Sequence, residues 1–196
     1  MLSELHRQKY LQLAVFLDDD LIPAAALEML WGVDKYEVED TMAMLSKKSL
    51  ALAEYNPLSD GYVYSLHDLQ LDYLKNMLAP AEEQAMHRAL VEKYFRRAAY
   101  RYGDLEDDGY ILTHLGYHML KAGMQASFPE VYLDLNYVEV VLKACGTACL
   151  LNDYRKYGHL IGKCGGCCMH VRQMGSKIIV DQIISIVYDG KVGTEM

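Results

Sequence analysis

Four side chains toward the C-terminal end stand at metal-ligand spacing: His159, Cys164, Cys167 and His170, in the order H-x4-C-x2-C-x2-H. A Cys-x2-Cys pair makes a pincer for zinc, and histidine is a proper further ligand. Structural zinc sites usually set two such knuckles across an intervening loop, and four ligands packed this tightly leave little backbone to wrap the ion. The expectation is therefore a Gly-rich, thiol-containing segment with no metal bound. The overlapping string Gly158 to Cys164 comes nearest to a phosphate-binding loop, but it is one residue short between its glycines and ends in Cys. It also sits at a helix end, not at a strand-to-helix turn, so no phosphate chemistry is expected there.

His67 offers a different chemistry. It lies between a strand-forming run, Tyr62 to Leu66, and a helical pattern with apolar bulk at Leu66, Leu69, Leu71 and Leu74. If Ser65 caps that helix, with Asp68 at the third helical position, His67 falls in the first turn. Unsatisfied N–H groups and the positive end of the helix dipole make such a turn an anion site. The dipole disfavours imidazolium, so a neutral ring is expected to donate one N–H to a phosphate oxygen. The alternative is a histidine that packs at the junction of strand and helix.

The elements that would hold these residues are read from spacing and turn chemistry. Leu5 to Phe16 is loosely helical. Pro23 opens AAALEMLWG in the first helical turn and Gly32 stops it. Asp34 caps a third helix with Glu37 as in a capping box, and Val38, Met42 and Leu45 share one face. Ser49 to Glu54 and Tyr62 to Leu66, around the turn cluster Asn56 to Gly61, predict a β-hairpin. Three helices and a hairpin are the winged-helix arrangement. A fourth helix then runs through Met77 to a break at Ala79-Pro80-Ala81.

Beyond the break only helices are expected, at about 82–102, 109–122, 128–134, 136–145 and 147–158. The fold class is mostly α: a winged-helix module at 1–80, an antiparallel α-helical bundle at 81–160, and a Cys- and Gly-containing tail at 161–196 in which only Ile178 to Tyr188 looks ordered. Leu69, Tyr73, Tyr117 and Tyr132 are expected in the core.

Composition narrows the functions. The chain has 196 residues with a formal net charge of −8, and 52% of them are hydrophobic, enough to build a core without metal or disulfides. Clustered acidic residues, among them Glu37, Glu39 and Asp40 on the third helix, argue against nucleic acid as a partner. No apolar run reaches membrane-spanning length, and the charged first ten residues do not read as a secretory leader. Five cysteines without such a leader are expected to be reduced thiols in the cytoplasm.

The segments YLQLAVF, ALEMLWG, EVEDTMAML, KKSL and LHDLQLDYL occur in the order of a known winged helix. They resemble that of the apoptotic protease-activating factor family, whose adaptors carry a recruitment domain, a nucleotide-binding core, a winged helix, a helical domain and propeller repeats. YILTHLGYHMLKAG and YLDLNYVEVVLKACGTACLLNDYRKYG resemble the helical domain that follows, so the likeness covers about 8–158. No phosphate loop, recruitment domain or propeller repeat is visible in this sequence, and the tail after Gly162 matches nothing in the family.

The resemblance implies that His67 reaches the β-phosphate of ADP and holds the switch closed. It also implies that Ser49, in KKSL, is a second nucleotide-contacting residue; the alternative is a serine that ends the third helix on its own backbone. It further implies a non-enzymatic switch module whose ADP or ATP is held only with a nucleotide-binding core, and no cofactor is expected for this chain alone. The expected partner is the family's nucleotide-binding domain or a full-length adaptor, without nucleic acid or membrane. The other reading is a stand-alone interaction module that binds such adaptors or interferes with them.

Overall fold

The computed structural model describes residues 2–18, 20–57 and 60–162 in full, and residues 167–174 and 177–184 as backbone. Helix α1 (Glu4–Gln12) starts on Ser3, whose hydroxyl accepts from the His6 amide, and tightens into a 3-10 turn at Leu13–Val15. That turn is fully buried with Phe16. Helix α2 (Ala24–Trp31) ends at Gly32, whose φ of 69° supplies the left-handed conformation that this cap requires. Pro23 stands one place earlier than expected: it precedes the helix and, with Ile22, forms strand β1 against β3. Two residues carry no alternation, so this strand left no pattern in the sequence.

Helix α3 (Lys35–Lys47) is capped as expected by Asp34, whose carboxylate accepts from Glu37 N at 2.9 Å. The reciprocal half of the capping box is absent, because the Glu37 carboxylate instead takes the Lys9 ammonium at 2.6 Å. Lys9 is itself nearly buried: its Nζ lies 5.2 Å over the Trp31 ring, and its carbonyl accepts from Trp31 Nε1 at 3.2 Å. Strands β2 (Leu52–Asn56) and β3 (Gly61–Ser65) pair antiparallel with Leu52 opposite Ser65, and the sheet order is β1-β3-β2. Leu27, Leu30, Val38, Met42 and Leu45 fill the space beneath.

Helix α4 (Asp68–Asn76) follows, then α5 (Pro80–Arg97), with Pro80 at its first position and the Glu82 carboxylate accepting from Ala79 N at 2.8 Å. Helices α6 (Ile111–Lys121), α7 (Phe128–Tyr132), α8 (Leu135–Ala144) and α9 (Gly146–Ile161) complete the helical region. α5 ends earlier than the sequence reading placed it, because Ala99 and Tyr100 both adopt positive φ without a glycine to announce the turn. The tail holds an antiparallel pair, β4 (Cys167–Met174) and β5 (Lys177–Ile184), where only Ile178 to Tyr188 was expected to be ordered.

The helix bundle and the winged helix share one continuous core. α5 is the seam. Lys93 Nζ donates to the Leu30 carbonyl at the end of α2 at 2.6 Å, and Arg88 donates to the Ala122 carbonyl at the end of α6 at 2.9 Å. Both contacts satisfy carbonyls that a helix end leaves open.

The interior beyond the seam is mainly apolar but encloses polar groups that contact one another. His87 and His118, both fully buried, meet through their Nδ1 atoms at 2.9 Å, and His118 Nε2 meets the Tyr110 hydroxyl at 3.0 Å. One Nδ1 must donate and the other accept, which excludes two protonated rings. Burial pushes His87 down to about 4 and His118 well below the usual histidine range. The Tyr110 ring stacks on His114 at 4.1 Å, and His114 Nε2 reaches Asp20, on the loop before β1, at 3.1 Å. In the next layer the Tyr132 hydroxyl donates to Asp153 at 2.8 Å, and burial raises that carboxyl to about 6. Gly116 on α6 allows the close approach: a Cβ there would stand 2.4 Å from the Tyr157 ring and 2.5 Å from the Tyr132 hydroxyl.

Candidate functional site

The third helix ends in a pattern that brings Ser49 to the surface. The Ser49 amide donates to the Ser46 carbonyl and the Leu50 amide to the Leu45 carbonyl, the paired bonds of a Schellman cap. Ser49 occupies the left-handed position of that cap, with φ 57°, where glycine is usual. A strained non-glycine residue is a feature that functional sites retain. Its carbonyl is clasped by the Gln70 side-chain amide from α4.

His67 is one step away from its expected place. Ser65 stays in the β3 ladder opposite Leu52, so it does not cap α4. His67 itself is the N-cap residue, with φ −66° and ψ 140°, and its carbonyl accepts from the Gln70 and Leu71 amides. Asp68 is therefore the first helical residue, not the third. Its carboxylate contacts His67 Nδ1 and also accepts from Leu69 N at 2.7 Å. The ring is largely exposed and not packed at the junction, and the Asp68 contact leaves Nε2 as the nitrogen open to a ligand.

These local conformations converge. Ser46, Ser49, Ala51, Leu52, His67, Leu69 and Gln70 line one open cavity of about 430 Å³. It combines an apolar floor, hydroxyls, an imidazole and the N-terminus of α4, a set suited to an anionic group attached to an apolar body. Sequence reasoning missed Gln70, because a glutamine inside a helix gives no sign that it reaches across to a loop carbonyl.

The other sequence candidates fare differently. Gly158 and His159 lie inside α9, so the string that resembled a phosphate loop begins as helix. Cys164 lies outside the described residues, as do the side chains of Cys167 and His170, and the metal reading rests on them. Tyr132 is in the core as expected, but Leu69 and Tyr73 are 71% and 58% exposed. With Met77, the C-cap of α4, they form an exposed apolar stripe at i, i+4 and i+8, beside exposed Leu52. Among the described residues no helix is long and apolar enough to cross a membrane.

A three-helix, three-stranded winged-helix domain joined through α4 to a helical domain defines the class of protein. The family comparisons agree: residues 5–74 match the winged-helix domain described as apoptotic protease-activating factor 1-like, and residues 83–177 match the APAF-1 helical domain. The chain belongs to the apoptotic protease-activating factor family through these two domains. The helical-domain match runs past Gly162, beyond the point where the sequence reading saw the likeness end.

Curated relatives are named apoptotic protease-activating factor 1. The chain is 35% identical to that of Danio rerio over 162 residues, 31% to that of Rattus norvegicus over 166, and 28% to that of Homo sapiens over 163. These alignments cover 81–82% of this chain, which spans only 12–13% of the length of those relatives.

Proposed function

We propose that this chain is the winged-helix and helical regulatory module of a cytoplasmic, apoptosome-type nucleotide switch. Joined to an ATPase core, it contacts the phosphates of bound ADP through His67, with Ser49 beside it, and stabilises the closed state. The module itself hydrolyses nothing. The observation that supports this is the shared cavity: Ser49 and His67, which the resemblance marks separately, line one depression at the start of α4.

Asp68 decides which ring nitrogen faces the nucleotide. Its carboxylate contacts Nδ1, so Nε2 is the nitrogen left to donate to a phosphate oxygen.

In a chain that joins these residues to a nucleotide-binding core of the family, His67→Ala should weaken ADP retention by about 1–3 kcal/mol, the range for a hydrogen bond to a charged group. It should shift population toward the open state by no more than that differential. ADP dissociation and oligomer size, measured beside the parent, test this. Unchanged release and assembly in a folded variant would remove the assignment.

A second reading is supported by the exposed stripe of Leu69, Tyr73 and Met77. Such a surface suits a protein partner, and a stand-alone module using it would bind full-length adaptors. Tyr73→Asp would then abolish adaptor binding while leaving ADP retention in the joined chain intact.

A further inference from the structure

One place where the winged helix and the bundle meet is His114, and the contacts of its ring fix where its protons are. Thr113 Oγ1 donates its single proton to the Tyr110 carbonyl at 2.8 Å. That hydroxyl oxygen also lies 2.8 Å from His114 Nδ1, and the Tyr110 carbonyl lies 2.9 Å from the same nitrogen. Both neighbours of Nδ1 are therefore acceptors, so Nδ1 carries a proton.

The other ring nitrogen faces a third acceptor. His114 Nε2 stands 3.1 Å from Oδ2 of Asp20, two residues before β1. That oxygen is shielded from solvent, and among the described residues no hydroxyl or amide donates to it. A bare nitrogen lone pair opposite a desolvated carboxylate oxygen is repulsive, so a proton must lie between them. An imidazole ordinarily takes a proton ahead of a carboxylate. The ring is thus doubly protonated, and the Tyr110 face stacked on it at 4.1 Å suits a cation.

The surroundings favour that charge. Desolvation lowers the proton affinity of the ring, but Asp20 and the Tyr110 carbonyl more than offset it, so His114 is raised above the usual histidine value. Asp153 on α9 adds negative potential. On α6 itself Tyr110 and Tyr117 stay uncharged, and burial keeps His118, one turn on, and His87 on α5 neutral.

We propose that His114 and Asp20 form a proton-operated latch: the protonated ring holds the segment leading into β1 against α6, and loss of its Nε2 proton to solvent frees that edge of the winged helix from the bundle. Helix α2, which follows β1, is anchored at its far end by Lys93 on the Leu30 carbonyl, so the release is confined to β1 and the start of α2. The contribution of the latch is complete below pH 6.5, the value of the free ring, and disappears as pH rises through the raised value.

The test follows the histidine rings of the full chain by nuclear magnetic resonance. His114 should show both nitrogens protonated at neutral pH and lose a proton only above the usual histidine range. Hydrogen exchange across the β1–β3 pairing, corrected for the intrinsic rate, should lose protection by up to about tenfold per pH unit from 6.5 to the point where His114 titrates, then level off. His114→Gln supplies an amide donor that keeps its proton, so its protection should stay flat over that range. Asp20→Asn should be flat as well, because its amide donates to the neutral ring. A singly protonated His114 at neutral pH, or the same pH dependence of exchange in the parent and in His114→Gln, would each overturn the proposal. The ring titration needs no variant and decides the matter even where a substitution disturbs folding.

Discussion

The winged helix and the helical bundle solve the same packing problem with different interiors. The first is filled mainly by apolar side chains under a small sheet, with Lys9 paired to Glu37, and its chemistry-bearing residues, Ser49 and His67, stand on the outside. The second also buries imidazoles, tyrosines and a carboxyl, several of which hydrogen-bond one another. An apolar interior is indifferent to pH, whereas buried titratable groups tie stability to it. The winged half therefore displays its ligand site on a scaffold whose core buries no imidazole or carboxyl, while the stability of the bundle depends on which protons it holds.

The largest expected effect exploits this contrast. His87 falls from 6.5 to about 4 on folding, so the unfolded chain takes the proton first. Its contribution is present above pH 6.5 and lost as pH falls toward 4, about 3 kcal/mol in all. His118 acts in the same direction. Asp153 does the opposite: raised from 3.8 to about 6, it contributes stability below pH 3.8 that is lost as pH rises through 6, again about 3 kcal/mol. His114, raised chiefly by Asp20 against its own desolvation, acts with Asp153. The pulls of His87 and Asp153 cancel over nearly one window. Asp153→Asn should unmask the histidines, making urea-measured stability fall about 3 kcal/mol more between neutral pH and pH 4 than in the parent. Parallel pH profiles for the two proteins would show that Asp153 does not offset the buried histidines.

Next in size is Gly116→Ala. The new methyl would meet the Tyr157 ring and the Tyr132 hydroxyl where α6 packs on α9. Overpacking of this kind costs about 1–3 kcal/mol. Hydrogen exchange should show the loss in α6 and α9 and spare α2 and α3. Equal loss in both halves would mean that the shared core couples them more tightly than their interiors suggest.

The smallest effect belongs to Ser49. Ser49→Gly relieves the left-handed backbone and should stabilise the chain by about 0.5–1 kcal/mol, whereas Ser49→Ala keeps the strain and should gain nothing. In a chain joined to a core, both variants should lose ADP retention equally if the hydroxyl makes the contact. Retention by the alanine variant alone would assign the role to the backbone turn.

What was legible in the sequence follows the same divide. Asp34, Gly32 and the Asn56 to Gly61 turn act through neighbours a few residues away, so local chemistry announced the winged helix. Of the candidate site, the resemblance supplied Ser49 and the role of His67, but the cap itself was misplaced, because cross-strand pairing kept Ser65 in the ladder. The turn at Ala99 and Tyr100, the Gln70 clasp and the contact of His87 with His118 depend on residues brought together by tertiary packing. No periodicity encodes them. Leu69 and Tyr73 show the converse limit: apolar residues at helical spacing can face outward, and spacing alone does not say which side the core is on.

The stacking of Lys9 on Trp31 has an optical consequence. Trp31 is the chain's sole tryptophan, and its indole is held between an ammonium and a backbone carbonyl within the winged helix. Intrinsic tryptophan emission therefore reports on that half alone, whereas far-ultraviolet dichroism is dominated by the longer helices of the bundle. Melting curves from the two signals overlay if the halves unfold as one body, and part by the difference between them if they do not.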